Sequence, residues 1–589
     1  MNKQIGRRVA GAAAALLLVS LSACSRNKAE IRVFLVNVPA TLTINQSVNL
    51  TANVVNDDSS AGIDWAVSAG AIIPAHTASG APAVFTAPAA AGSVTVTATS
   101  AADGATKATA TITVVPIGSN GMLHGTYVFS VGGSDSSGTY AAAGVIVADG
   151  NGNITGGEQD YADEKLRAGP DPVTGTYAIG PDGRGSITLS VDNAHLPSNG
   201  YETFGLVLTS STHALIIQFD GTATSSGALE AQSPSALDPA AIAGAFAFTA
   251  QGLDIVSQVP LVHGGVLTMD AAAGTVTGGT YYVNDGGSTF SSATTGTVTA
   301  PDGFGRGTLA LSVSANFVYY AVQGQVLRLI ENDFPYVTAG GLMAGQGPAG
   351  AAGTFTNASL AGSFVLSEAG ATSYGPLALA GQFLADGSGA FTGGVADVND
   401  AGVVTFASIV GTNRYTVAAN GAGTLTLPRA VDQAAAVSSL LFFMVSPDVN
   451  LMDPTIPGGG GGALVMDYDA GAFASGSIVP QSAGTFEGNY AVNLQYATSA
   501  AESNWIGQAV AAGGTLNGTV DVNDSGLTAA GLAFSGSFAN DAGHPGRFTG
   551  AFNANATSHT VVYYQVSDNA LVVADLSATM VGIGVLGRQ

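Results

Sequence analysis

The residues best equipped for chemistry in this chain are oxygen-rich and come in short acidic clusters. Asp149-Gly150-Asn151-Gly152-Asn153, Asp397-Val398-Asn399-Asp400 and Asp521-Val522-Asn523-Asp524 alternate carboxylates and amides with other residues. Calcium takes six to eight oxygen ligands, and such loops can supply several. Asp149, Asn151, Asp397, Asn399, Asp521 and Asn523 are therefore the calcium candidates. The same residue types also build tight hairpins, because Gly and Asn tolerate the positive φ that type I′ turns require. No terminal Glu completes a calcium loop, and the first motif recurs with its acids eroded. Met269-Asp270 leads to Gly274-Thr275-Val276-Thr277-Gly278-Gly279, Ala385-Asp386-Gly387-Ser388-Gly389 to Thr392-Gly393-Gly394, and Ala512-Gly513-Gly514 to Asn517-Gly518-Thr519. Glycine persists while the acids come and go, so turn chemistry is the leading reading and calcium the second. No other cofactor is expected.

Other chemistries find less support. His76, His124, His195, His213, His263, His544 and His559 are scattered singly, without metal-ligand spacing such as His-Glu-x-x-His. A Gly-x-Ser-x-Gly elbow and a phosphate-binding Gly-Lys-Ser/Thr loop are both missing from the sequence. Gly303-Phe304-Gly305-Arg306-Gly307 connects strand to strand, which is turn chemistry. Asp160 with Asp163 and Glu164 could act as a glycosidase pair, but acids clustered in a polar loop read first as solvated surface. The expectation is a protein that is not an enzyme.

The single cysteine, Cys24, rules out an intramolecular disulfide and calls for another explanation. Lys3, Arg7 and Arg8 form a positive start, an apolar run extends from Val9 to Leu21, and Leu21-Ser22-Ala23-Cys24 follows. This is an export signal, too short for a flanked transmembrane helix. Its last four residues resemble the lipobox of bacterial lipoproteins. That resemblance implies cleavage before Cys24 and acylation of its thiol, making Cys24 the lipidation site and the lipid the membrane anchor. Ser25 after it is similar to the outer-membrane-sorted class.

The sequence has 589 residues, 81 of them Gly, with 10% charged residues and a net charge of −24. A surface this acidic repels phosphate backbones, so nucleic acid is not an expected partner. Abundant Gly without a collagen period, beside β-branched residues, reads as many short strands joined by tight turns. From Ile31 to Pro116 the pattern alternates with period two, for example Val94-Thr95-Val96-Thr97-Ala98-Thr99 and Ala108 to Val114, which argues a two-sheet sandwich. Ile63-Asp64-Trp65, Phe85-Thr86-Ala87-Pro88 and the Val94 strand leading through Asp103-Gly104 resemble bacterial immunoglobulin-like (Big-type) domains. That family implies a spacer or adhesive role; Trp65 reads first as a sandwich-core residue and second as a ligand platform.

A tandem array follows. Gly125-Thr126-Tyr127-Val128-Phe129 matches Gly244-Ala245-Phe246-Ala247-Phe248, Gly362-Ser363-Phe364-Val365-Leu366 and Gly488-Asn489-Tyr490-Ala491-Val492. A strand–Gly turn–strand unit recurs around Gly183-Arg184-Gly185, Gly305-Arg306-Gly307, Gly421-Ala422-Gly423 and Gly546-Arg547. An apolar hairpin ends in Asp220, Glu331, Asp467 or Asp575, and each block closes on a glutamine: Gln232, Gln346, Gln481 and Gln589. A period of about 120 residues exceeds the roughly 20–50 of solenoids and propeller blades, so each block is a complete domain. Around eight sequential strands per block close an up-and-down barrel, as in lipocalin- or avidin-like folds, or make two packed sheets.

The sequence thus predicts an all-β protein with an Ig-like β-sandwich followed by four tandem antiparallel β-barrel or sandwich domains. The boundaries are 1–23 signal peptide, 24–30 lipidated tether, 31–116 sandwich, then repeats at 121–233, 236–347, 354–481 and 484–589. The expected address is the cell surface or outer membrane, held by the N-terminal lipid. The expected role is structural or adhesive, with protein or glycan partners. The second reading is a small-ligand or glycan receptor whose barrel cavities are lined by Tyr127, Phe129, Phe246, Phe248, Phe364 and Tyr490.

Overall fold

The structure is a computed structural model that describes residues 30–589 except 37, 40, 45, 89, 91, 116–118, 410–413, 428–437, 457, 499–500 and 555–556. Cys24, the signal and most of the tether lie outside the described residues. The chain divides into two compact units, the first drawn from residues up to Ile112 and the second dominated by Thr113–Gln589.

The N-terminal unit is built on two sheets. One runs Arg32–Val36, Ser47–Val55, Ala83–Thr86, Ala71–Ile73, and the other contains Lys107–Val115, Gly92–Ser100, Ile63–Val67 and His76–Thr77 in that order. Period-two alternation buries every second side chain, including Leu50, Phe85, Val96 and Ile112. Trp65 is buried, and its indole N–H donates to Thr77 Oγ1 at 2.9 Å, so it is a core residue with its polar handle satisfied.

In the second unit the chain forms several eight-stranded antiparallel barrels in meander order. The first is a closed barrel of His124–Asp135, Gly138–Asp149, Asn153–Ala162, Arg167–Ile179, Arg184–Val191, Tyr201–Leu208, His213–Gln218 and Ala223–Ala231. The fourth, from Gly488–Ala497 to Val581–Arg588, is closed in the same way. The second runs from Ala243–Asp254 to Val337–Gly345, and its fourth strand is split into Ser288–Ala293 and Gly296–Val298. The third, from Ala361–Thr372 to Ala472–Pro480, splits the same strand into Val403–Ser408 and Tyr415–Val417, with a bridge from Ala390 to Arg414 spanning the gap.

Closure explains part of the glycine content. The first and last strands of each barrel press together, so a Cβ on Gly227 would lie 1.8 Å from the Ser130 carbonyl oxygen. Only glycine lets the backbones approach that closely. The one α-helix among the described residues, Gly347–Ala352, lies between the second and third barrels and was not expected from the sequence.

The lumens are filled. Tyr127, Phe129, Ile146, Phe204, Ile216 and Leu229 pack in the first barrel, and Phe246, Phe248, Phe317 and Tyr319 in the second. Phe364, Phe383, Phe391 and Phe442 fill the third, and Tyr490, Trp505, Phe552 and Tyr563 the fourth. The strand-opening aromatics proposed as cavity linings are therefore core plugs, as expected for small barrels whose inward side chains meet at the axis.

Candidate functional site

The acidic motifs sit in two different settings. Asp149 organises its own hairpin: its carboxylate accepts from the Asn151 amide at 2.7 Å, the Asn153 amide at 3.0 Å and Asn153 Nδ2 at 2.7 Å. These donors, the Asn153 side chain foremost, hold its pKa down at about 2. Asn151 turns its Nδ2 onto the Asp149 carbonyl, and Gly150 and Gly152 take φ of 78° and 105°. The repeat at Asp386 copies this turn, accepting from Ser388 and Ala390 amides at 2.7 and 2.9 Å.

Asp397, Asn399, Asp521 and Asn523 lie instead where one barrel meets the next. Asn399 Nδ2 donates to the carbonyls of Asp575, Ser577 and Met580 at 2.8, 3.0 and 3.1 Å, capping a hairpin of the fourth barrel. Asn523, in the fourth barrel, caps the first by donating to Gln218 and Ala223 carbonyls at 2.7 and 2.8 Å. Asn284 does the same from the second barrel to the third, through Asp469 and Ala472 at 2.8 Å each. All three asparagines are 0% exposed. Asn284 was missed by sequence reasoning, although Val283-Asn284-Asp285 repeats the tripeptide of the other two. The first barrel has Tyr161-Ala162-Asp163 there, and the Ala162 carbonyl accepts from Thr338 of the second barrel at 3.3 Å.

Two residues before Ala162, Asn399 and Asn523, carboxylates form ion pairs across the joints. Asp397 receives Arg547 through Nε and Nη2 at 2.8 and 2.9 Å and the Tyr564 hydroxyl at 2.5 Å. Asp160 receives Arg306 at 2.6 and 3.0 Å and Tyr320 at 2.7 Å. Asp521 receives Arg184 Nη1 at 3.0 Å. Burial opposes the charge on Arg306 and Arg547, yet their bonds to Asp160 and Asp397 outweigh it and hold both guanidinium pKa values above the ordinary one. A carboxylate that accepts a bidentate guanidinium is held by strong charge-assisted bonds, so Asp160 and Asp397 serve the joints. Between the second and third barrels, Tyr282 replaces the acid and Ala422 the arginine, and Tyr282 packs on Phe443 at 5.7 Å.

The recurring glutamines are the third set of ties. Gln232 Nε2 reaches the Phe304 and Ala321 carbonyls of the second barrel at 2.8 and 2.9 Å, and Gln346 reaches Asn420 and Met444 of the third at 3.1 and 3.0 Å. Gln481 reaches Gln565 of the fourth at 2.8 Å. Gln589 reaches Leu208 and Asp182 of the first barrel at 2.8 and 3.3 Å. The four barrels therefore close on themselves in a ring. Apolar clusters bind the outer faces at each joint, such as Val365, Ala380 and Val395 against Val562, Tyr564 and Val572. The joint of the fourth barrel to the first is smaller: Val207, Leu215 and Ile217 against Ala491 and Ile506.

Buried histidine–acid pairs lie inside two lumens. His263 sits 2.9 Å from Glu331 through Nε2 and 2.7 Å from the Tyr281 hydroxyl through Nδ1, with 0% and 3% exposure for His263 and Glu331. The Nε2 approach is close but poorly aligned for a hydrogen bond. His559 Nδ1 meets Asp575 at 2.5 Å. Burial raises the Glu331 pKa, which His263 partly offsets. Enclosed among Phe317, Trp505 and Phe552, these pairs belong to the barrel cores, where His263 is held through Tyr281 and His559 through Asp575. Asp163 and Glu164 likewise serve local structure, accepting from Lys165 and Thr139 amides at 2.6 and 2.9 Å. The structure does not bring Asp160, Asp163 and Glu164 together as a catalytic pair.

A recess lies outside the lumens, where the first, third and fourth barrels meet. It has a volume of about 250 Å³. Leu215 and Ser226 come from the first barrel, Ser367, Ala369 and Ser475 from the third. The fourth adds Asn493, Gln495, Val572, Ile583 and Val585. First and last strands dominate this wall, so equivalent strands of three barrels converge on the middle of the ring.

No family model and no curated protein matches the chain. Similar solved structures include kievitone hydratase from Nectria haematococca, at 9% identity over 39% of this chain and 88% of that one, with a TM-score of 0.18. A mutant of transferrin binding protein B from Haemophilus parasuis Hp5 is 10% identical over 79% of this chain and 96% of its own, with a TM-score of 0.17. At such TM-scores neither likeness carries weight for the arrangement or the function of this chain. The fold and its joints define the class by themselves: an all-β protein whose eight-stranded antiparallel barrels are locked in a ring.

Proposed function

We propose that this chain is a lipid-anchored surface protein whose ring of barrels serves as a rigid structural or adhesive body, without catalysis. The observation that carries the reading is the repeated joint. Buried Asn caps, Asp–Arg pairs and glutamine ties recur from barrel to barrel and return from the fourth to the first. Such recurring ties within one chain suit a body that presents a fixed outer surface. Filled lumens turn ligand recognition away from the barrel interiors. The export signal and lipobox-like Cys24 supply the anchor, and several acyl chains hold a soluble body stably at a bilayer.

Cys24→Ala tests the anchor. Fractionation should move the protein from the membrane to the soluble extracytoplasmic fraction; retention in the membrane would overturn it.

A further inference from the structure

We infer that the recess in the middle of the ring binds a single uncharged hexose unit. The inference deepens the adhesive reading by giving the ring a class of partner, and it rests on that reading for its setting at the cell surface.

The chemistry of the wall selects the ligand. No ionised side chain projects into the recess. Glu368 lines it through its backbone, because strand alternation turns its side chain to the lumen side with Phe364 and Leu366. A cation would find no carboxylate there, and an anion would meet the field of a chain carrying −24. The guest is therefore neutral.

The recess has two unlike sides. Leu215, Val572, Ile583 and Val585 form an apolar side. Ser226, Ser367, Ser475, Asn493 and Gln495 form a rim of hydroxyls and amides. Part of that rim is already committed: Ser226 donates to Asn493 Oδ1 at 2.9 Å, and Ser475 donates to Gln251 Oε1 at 2.7 Å. The Ser367 hydroxyl and the Gln495 amide make no side-chain hydrogen bond to the described residues, and Gln495 is exposed. They can give and accept hydrogen bonds at one edge of a guest.

A pyranose matches both sides, with C–H groups for the aliphatic wall and hydroxyls for Ser367 and Gln495. The size agrees. Pockets for drug-sized ligands run roughly 300–1,000 Å³, and a recess of about 250 Å³ takes one sugar ring.

The test uses the full chain and saturation-transfer NMR with the methyl glycosides of glucose, galactose, mannose and N-acetylglucosamine, and sialic acid as a charged control. At least one neutral glycoside should show saturation transfer. Gln495→Ala with Ser367→Ala should weaken that ligand about tenfold, and Ala369→Leu, which fills the recess, should abolish the signal. The substituted side chains lie outside the lumens, and an unchanged melting temperature verifies folding. An oligosaccharide ending in the same unit separates two sources: binding of both assigns a glycan terminus, and binding of the glycoside alone assigns a free sugar. The inference is overturned if no neutral glycoside binds, if sialic acid binds in preference, or if Ala369→Leu leaves binding intact. Failure here leaves the Cys24→Ala fractionation result standing, so the two readings fail separately.

Discussion

Asn399 shows what a single side chain can carry in this fold. Its Nδ2 serves three carbonyls of the neighbouring barrel while its Oδ1 accepts from Gly402 at 3.1 Å, and Asn399 itself is 0% exposed. Truncation leaves buried acceptors unpaired, which costs about 1–3 kcal/mol. Asn399→Ala should therefore lower the unfolding free energy by that amount in a urea titration, whereas Asn151→Ala, on an exposed turn, should stay within about 0.5 kcal/mol. Equal effects of the two substitutions would contradict the capping role.

Among elements, the joint between the fourth and first barrels is the one without a covalent link, and Gln589 closes it. Gln589→Ala removes the donor to Leu208 and Asp182. Hydrogen exchange should then quicken in the turns near Asp182 and Leu208, and remain unchanged at Gln565, which Gln481 ties in the third-to-fourth joint. Uniform exchange across all joints would argue that the ties do not act locally.

The same joint contributes, with two acids of the first barrel, to a pH sensitivity of the ring. Burial lifts Glu502 to about 7 against its bonds from Asn504 on its own strand and from Ser134 of the first barrel. Burial lifts Glu202 to about 7 as well, and Glu158, half-buried near Asp302, to about 7. Each folded pKa lies above the unfolded carboxyl value of about 4.3, so the folded state holds these protons more tightly. Their contribution is full below the unfolded pKa and is lost as pH rises through 7. The turn carboxylates Asp149 and Asp386 are shifted down, and their contribution fades only in strong acid. The melting temperature should thus fall between pH 5.5 and 8, and Glu502→Gln should flatten the slope; a rise over that interval would refute the assignment.

At the scale of the molecule, the barrels cannot be four beads on a string. Faces that an isolated barrel would expose, such as Val562, Tyr564 and Val572, are buried by a neighbour. Unfolding one barrel uncovers the apolar face of the next, which couples their stabilities. Calorimetry should show the Thr113–Gln589 unit melting in one dominant transition; four resolved transitions of comparable enthalpy would show independent domains instead.

Much of the architecture could be read from the order of residues. Period-two alternation and turn glycines mark strands, because a side chain's face depends only on its parity, and the repeated landmarks mark the barrels. The Asp149 hairpin was legible for the same reason: its chemistry is local, with every donor within four residues. The roles of Asp397, Asn399, Asp521 and Asn523 were not. Their partners lie at Arg547, Asp575, Arg184 and Gln218, more than a hundred residues away in each case but set by the ring. The closing glutamines were visible as a repeat but silent as to purpose, since a carbonyl acceptor carries no residue signature. Sequence periodicity determined the strands and their number; only tertiary structure decided which outer faces meet, because that depends on how barrels pack around a common centre.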